Sequence, residues 1–140
     1  MNTVITGASS GIGEALAIEA ASRGDNLFIC GRNAQRLADV AEICRKKGAH
    51  VKAEIIDVSD SEAVTNWLEK CEKIYPIERV FANAGVSTGE ETEENVRRTF
   101  STNVSGVVNT VLPAIEIFRH GRKRKKKQIV ITSSIAGYGP

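Results

Sequence analysis

The chain has 140 residues, 41% of them hydrophobic and 26% charged, which is enough for one compact domain with one core. Its formal net charge of +2 is uneven: six positive charges sit in RKRKKK at 122–127, so the rest of the chain carries −4. Three cysteines (Cys30, Cys44 and Cys71), with no CxxC spacing, argue against a disulfide framework or a metal site. No apolar run approaches the roughly 20 residues that span a bilayer, and a strand beginning by residue 2 leaves no room for a signal or transit peptide. A cytoplasmic protein with reduced thiols is expected.

Strands and helices alternate along the chain. NTVIT (2–6) reads as a strand and the segment from Gly11 to Arg23 as a helix. NLFIC (26–30) is a second strand, followed by a helix from Ala34 to Lys47 with Leu37, Val40, Ala41 and Cys44 on one face. HVKAEIID (50–57) is the third strand. Val64, Trp67, Leu68, Cys71 and Ile74 then recur at helical spacing, which predicts a helix over 60–74 capped by Asp60 or Ser61. ERVFANA (78–84) is the fourth strand, one long helix is expected from Thr92 to Phe118, and QIVITS (128–133) is the fifth strand. Strands joined by helical crossovers predict a parallel sheet covered on both faces.

The turn after the first strand carries glycines at 7, 11 and 13. Gly7 suits a tight turn out of the strand. Gly11 and Gly13 remove side chains where a diphosphate would approach the backbone N–H groups of a helix N-terminus. The spacing is not GxGxxG, but three glycines in the first turn of an alternating pattern favour nucleotide binding over a purely steric role.

In the long helix, Val96, Phe100, Val107, Val111 and Phe118 form an apolar stripe, and Asn103 falls inside it. A buried amide requires partners, so Asn103 is expected to hold a specific bond. Pro113 is expected to bend the helix. The basic run at 122–127 reads as a solvated loop. With no interleaved aromatics it gives little support to a nucleic-acid or acidic-lipid site.

TGASSGIG (6–13) resembles the TGxxxGIG signature of the short-chain dehydrogenases/reductases. DVSD (57–60), NAG (83–85), NVSG (103–106) and ITSSIAG (131–137) follow in that family's order, so the resemblance covers the whole chain. It implies an α/β fold: a Rossmann-type doubly wound parallel sheet of strand order 3-2-1-4-5. Residues 1–140 would form one partial NADP(H)-binding domain, lacking the family's C-terminal strands and helices. The implied activity is hydride transfer between a nicotinamide cofactor and a small carbonyl or alcohol substrate. A full-length member would be a homo-oligomer, with no nucleic-acid or membrane partner and no metal.

The resemblance places cofactor contacts at Gly7, Ser9, Ser10, Gly11, Ile12 and Gly13 of the turn. It adds Asp57, with its carboxylate on the adenine amino group, and the backbone of Val58. Asn83, Ala84 and Gly85 complete the set, with Asn83 bracing the sheet beside the ribose. Asp57 also has a reading as a simple loop cap. At the end of the second strand Gly31 stands where NAD-binding members carry an acid, and Arg32 follows. A guanidinium suits a 2′-phosphate, so the cofactor is read as NADP(H) against the alternative of an ordinary exposed arginine.

The family's catalytic serine corresponds to Ser134, with Ser133 the lesser match. Asn103 corresponds to the asparagine that kinks its helix and holds a relay water, the alternative being a structural hydrogen bond. The family's YxxxK pair is absent: Tyr75 has Arg79 four residues on, and Tyr138 is too close to Ser134. The chain alone is therefore expected to bind cofactor without turnover. A competing reading is a non-catalytic NADP(H)-binding sensor on the same fold.

Overall fold

The computed structural model describes residues 1–121 and 126–134. Most of the basic run, Tyr138 and the IAG segment lie outside the described residues. The order is β1 (Asn2–Ile5), α1 (Gly11–Ser22), β2 (Asn26–Gly31), α2 (Ala34–Lys46), β3 (Val51–Ile55), α3 (Ser61–Ile74), β4 (Arg79–Ala82), α4 (Glu93–Phe100), a π turn (Ser101–Ser105), α5 (Gly106–His120) and β5 (Gln128–Ile131). All pairings are parallel, and the sheet runs β3-β2-β1-β4-β5. This is the doubly wound Rossmann-type sheet expected from the sequence. Among the described residues, no helix is long and apolar enough to cross a membrane.

Strand alternation explains why helices cover both faces. Ile5, Leu27, Ile29 and Val51 point into one core, against Ala17, Leu37 and Cys44 of α1 and α2. Their neighbours Val4, Phe28, Cys30 and Val80 point into the other, against Val64, Trp67, Leu68 and Cys71 of α3 and Ala114 of α5. A strand buried on both faces must be apolar at every position, which is why β2 reads as a continuous run. Each large side chain removed from water this way contributes roughly 1.5–3 kcal/mol. Asp60 caps α3 as expected, its Oδ1 accepting from the Ala63 amide at 3.0 Å.

The long helix departs from expectation. It is broken by a π turn at 101–105, while α5 runs on through Pro113 to His120. The stripe predicted to be buried is not a core face: Val96 is 45% and Phe100 62% exposed, and Val107, Val111 and Phe118 are half-buried. Asn103 is exposed too, not buried in that stripe. The sheet side is taken instead by Thr102, Gly106, Thr110 and Ala114, four residues apart. Small side chains there let the backbone approach closely, and the buried Thr110 hydroxyl is satisfied by donating to the Gly106 carbonyl at 2.8 Å. Hydrophobicity alone pointed to the wrong face because close helix packing selected for size.

Candidate functional site

The carboxyl ends of β1 to β4 converge on a cleft of about 420 Å³, where ligands sit in open parallel sheets. Gly7 leaves β1 with φ 66°, in the left-handed region, and a Cβ there would come within 2.6 Å of Ala84 Cα. At Gly13 a Cβ would overlap the Gly7 carbonyl oxygen and reach 2.6 Å from Asn83 Nδ2. The turn is thus pressed onto the end of β4.

Helix α1 opens bare. Ser10 at its N-cap makes no side-chain bond to the first turn. The other three helices that begin from a loop are capped by Asn33, Asp60 and Thr92, each accepting from a backbone amide. The unmatched amides of α1 and its dipole favour a negative group beside Ser10, Gly11 and Ile12, all of which line the cleft.

Thr6 ties this turn to β4. Its hydroxyl donates to the Phe81 carbonyl at 3.3 Å and accepts from the Asn83 and Ala84 amides at 3.0 and 3.1 Å. The Asn83 carboxamide donates to the Thr6 and Gly7 carbonyls at 3.2 and 3.4 Å and accepts from the Thr132 hydroxyl at 2.9 Å. Asn83 is therefore a brace between β1, β4 and the end of β5, with its side chain fully engaged inside the protein.

At the end of β2, Gly31, Arg32, Asn33 and Arg36 line the cleft, with Ser9 packed over Gly31. Asp57 and Val58 line it from beyond β3. Asp57 Oδ1 accepts from the Ser59 amide at 2.9 Å and the Ser59 hydroxyl at 2.7 Å. Burial pushes the Asp57 carboxyl up, but the two Ser59 bonds, with Arg32 and Arg98 nearby, outweigh it and hold the carboxyl below its ordinary value. It stays ionised and able to accept a hydrogen bond near neutral pH.

Gly7, Ser9, Ala84 and Gly85 share this cleft, whereas Gly13 lies beneath it. Asn103 stands outside the lining. Its Oδ1 accepts from the Val86 amide at 2.7 Å and its Nδ2 donates to the Val86 carbonyl at 2.8 Å, and Val86 lines the cleft. Ser134 is exposed, three residues beyond the end of β5.

Sequence reasoning missed Thr6, Arg36 and Thr132. Arg36 was within reach of it: it lies one helical turn after Arg32, just inside an N-terminus capped by Asn33. Thr6 and Thr132 fall inside the matched segments TGASSGIG and ITSSIAG, but their role was hidden, because a hydroxyl at a strand end becomes a brace only when its neighbours in the sheet are known.

The match to known proteins runs the length of the chain. Residues 1–140 fit the family model described as short chain dehydrogenase. An uncharacterized oxidoreductase of Staphylococcus saprophyticus is 34% identical over 144 residues, covering 96% of this chain and 59% of its own length. A short chain dehydrogenase/reductase from Burkholderia phymatum, solved in complex with NAD, is 31% identical with a TM-score of 0.89, covering 99% of this chain and 50% of that one. An alcohol dehydrogenase from the archaeon Thermococcus sibiricus, complexed with 5-hydroxy-NADP, is 32% identical with a TM-score of 0.80, covering 94% and 57%. The chain spans about half the length of the curated relatives it matches. With the family model matched from first residue to last on this sheet, the chain belongs to the short-chain dehydrogenase family.

Proposed function

We propose that this chain is the cofactor-binding portion of an NADP(H)-dependent oxidoreductase acting on a small carbonyl or alcohol substrate. The observation that carries the reading is the composition of the β2 end. Gly31 and Arg32 lie in the same cleft as the glycine turn, with Arg36 beside them and no carboxylate at the strand's end. Two guanidinium groups suit a 2′-phosphate through charge-assisted bonds.

The residues fit a dinucleotide. The bare first turn of α1, with Ser9, Ser10, Gly11 and Ile12, would take the diphosphate. Gly7 and Gly13 allow the close stacking that exposes that turn. The Asp57 carboxylate would accept from the adenine amino group, with the Val58 backbone beside it. Ala84 and Gly85 would border the ribose over the Asn83 brace. The bound cofactor would supply the hydride. Ser134 would donate a hydrogen bond to the substrate oxygen, and Asn103 would hold the Val86 segment in place.

Within residues 1–140, Tyr75 is followed four residues on by Arg79 rather than lysine, and Tyr138 stands only four residues past Ser134. A species of these 140 residues is therefore expected to bind cofactor and not to turn over, because the acid–base group of the family is missing from it. A second reading is a cofactor-binding sensor on the same fold, which a full-length protein without that pair would support. A panel of ketones and aldehydes with NADPH separates the readings: turnover by a longer species supports the enzyme, and cofactor binding without turnover by the full-length protein supports the sensor. The reading includes a reducing, cytoplasmic setting, supported by three buried free thiols, and a homo-oligomeric full-length protein.

Titration with NADPH and NADH tests the cofactor assignment directly. NADPH is expected to bind more tightly, and Arg32→Ala to weaken NADPH alone by about 1.5–3 kcal/mol. Equal or tighter binding of NADH by the unaltered protein would overturn it.

A further inference from the structure

Helix α5 touches the far wall of the cleft at Val58. A Cβ at Gly106 would come within 2.5 Å of Val58 Cγ2, so the helix backbone lies directly against that side chain. One turn further along α5, Asn109 Nδ2 donates to the Val58 carbonyl at 2.9 Å. Val58 is buried, Asn109 is half-buried, and the Asp57–Val58 peptide leads away from the edge strand β3. The Val58 side chain packs in the core under α3, and just before it the Ile56 amide donates to the Gly31 carbonyl at 3.2 Å, but the peptide's own polar groups are otherwise bonded only within the loop. Asp57 Oδ1 turns back onto Ser59 within the same loop, and the Asp57 carbonyl accepts from the Asp60 amide at 3.0 Å. Among the described residues, the hydrogen bond that reaches this peptide from outside its own loop is the one from α5.

We propose that Asn109 is a positioning residue for the adenine end of the cofactor site: from α5 it holds the Val58 carbonyl, with Gly106 admitting Val58 against the helix, and so sets the shelf formed by Asp57 and Val58. The inference rests on the dinucleotide reading above. Its energetic basis is preorganisation. A loop already held in its binding conformation does not lose conformational freedom when ligand arrives, and releasing it lowers affinity without removing any ligand contact. The same segment carries Asn103 on the turn before Gly106, so one stretch of backbone fixes both the adenine shelf and the Val86 side of the cleft.

The test measures binding of two cofactor halves, adenosine 2′,5′-bisphosphate and nicotinamide mononucleotide, by calorimetry on the purified protein. Asn109→Leu keeps the size and removes the donor. It is expected to weaken the adenosine half about five- to tenfold, the scale of one lost hydrogen bond, and to leave the nicotinamide half within about twofold. A merely structural bond would lower the melting temperature and leave the ratio of the two affinities unchanged, and that result would overturn the proposal. A second pair of variants reports on the same contact should Asn109→Leu fold poorly. Gly106→Ala is expected to weaken the adenosine half by displacing Val58. Adding Val58→Ala should recover the affinity of Val58→Ala alone, because the colliding methyl is gone. Additive losses in the double variant would refute the role of the Val58 contact. Failure of the unaltered protein to bind either half or NADPH would instead refute the dinucleotide reading itself.

Discussion

The two ends of the sheet use polar groups in opposite ways. At the amino end they close on one another. Asp25, only 5% exposed, accepts from the Met1 ammonium at 3.0 Å and the Thr3 hydroxyl at 2.7 Å, with Arg79 at 3.9 Å. Asn2 is bonded to Asn26, Pro76 and Glu78. At the carboxyl end the side chains brace the backbone (Thr6, Asn83 and Thr132), and the backbone itself is left bare at the first turn of α1. Satisfied polar groups make an end stable. Unsatisfied ones held in place by a satisfied second layer make it able to bind. The difference predicts that substitutions at the two ends separate stability from affinity.

The largest effect is expected at Gly13. A methyl there overlaps the Gly7 carbonyl and crowds Asn83 Nδ2, and the Gly7 backbone cannot yield without moving the turn. Gly13→Ala should lower cofactor affinity at least 100-fold, about 3 kcal/mol, and cost about 1–3 kcal/mol in stability through overpacking. Calorimetry at a temperature where circular dichroism shows the variant folded separates the two losses. Affinity within about threefold of the unaltered protein would show that the turn is not the binding element.

Asp25→Ala should do the reverse. It leaves the buried Thr3 hydroxyl without its acceptor and two cations without their partner, at a cost of about 2–3 kcal/mol in denaturant unfolding. Cofactor affinity, measured while folded, should stay within about twofold, because Asp25 lies at the opposite end of the sheet from the cleft. A tenfold loss of affinity would mean that the two ends are coupled through the strands.

How much of this was legible in the sequence follows the same division. The strand order and the glycine turn could be read because they depend on local pattern: alternation of strand and helix, and glycines where no side chain fits. Asn103 could be recognised, but its surroundings could not. The π turn inserts a residue, and the buried line through Thr102, Gly106, Thr110 and Ala114 is chosen for smallness, which no hydrophobic stripe reveals. Thr6, Thr132 and Asn109 were illegible for another reason. Each acts across the fold on a residue between 49 and 78 positions away, as in Thr132 to Asn83, Asn109 to Val58 and Thr6 to Ala84. Such pairings exist only once the sheet order has brought the segments together.

The smallest expected effect concerns Cys30, where one residue serves both the carboxyl-end turn and the core. Its carbonyl accepts from the Ala8 amide at 2.9 Å and so steadies the glycine turn, while its thiol is wholly buried in the core under α3. Burial pushes that thiol up to about 12, with a backbone bond from Gly7 opposing and Glu54 adding slightly. The sign follows from proton linkage. The thiol ionises at an ordinary 9.0 in the unfolded chain and only near 12 in the folded one, so its stabilising effect is complete below pH 9. It declines as pH rises from there, by up to about 1.4 kcal/mol per pH unit. Other groups titrate in the same range, so the informative quantity is a difference. Cys30→Ala should be less stable at pH 7.5 because it leaves a small cavity. Between pH 9 and 10 it should lose about 1 kcal/mol less than the unaltered protein. Cofactor affinity at pH 7.5 should be unchanged, since the backbone bond to Ala8 survives the substitution. Parallel stability curves from pH 8 to 10 would show that the thiol is not protected by the core. A fall in affinity would show that the side chain, and not only the carbonyl, supports the turn.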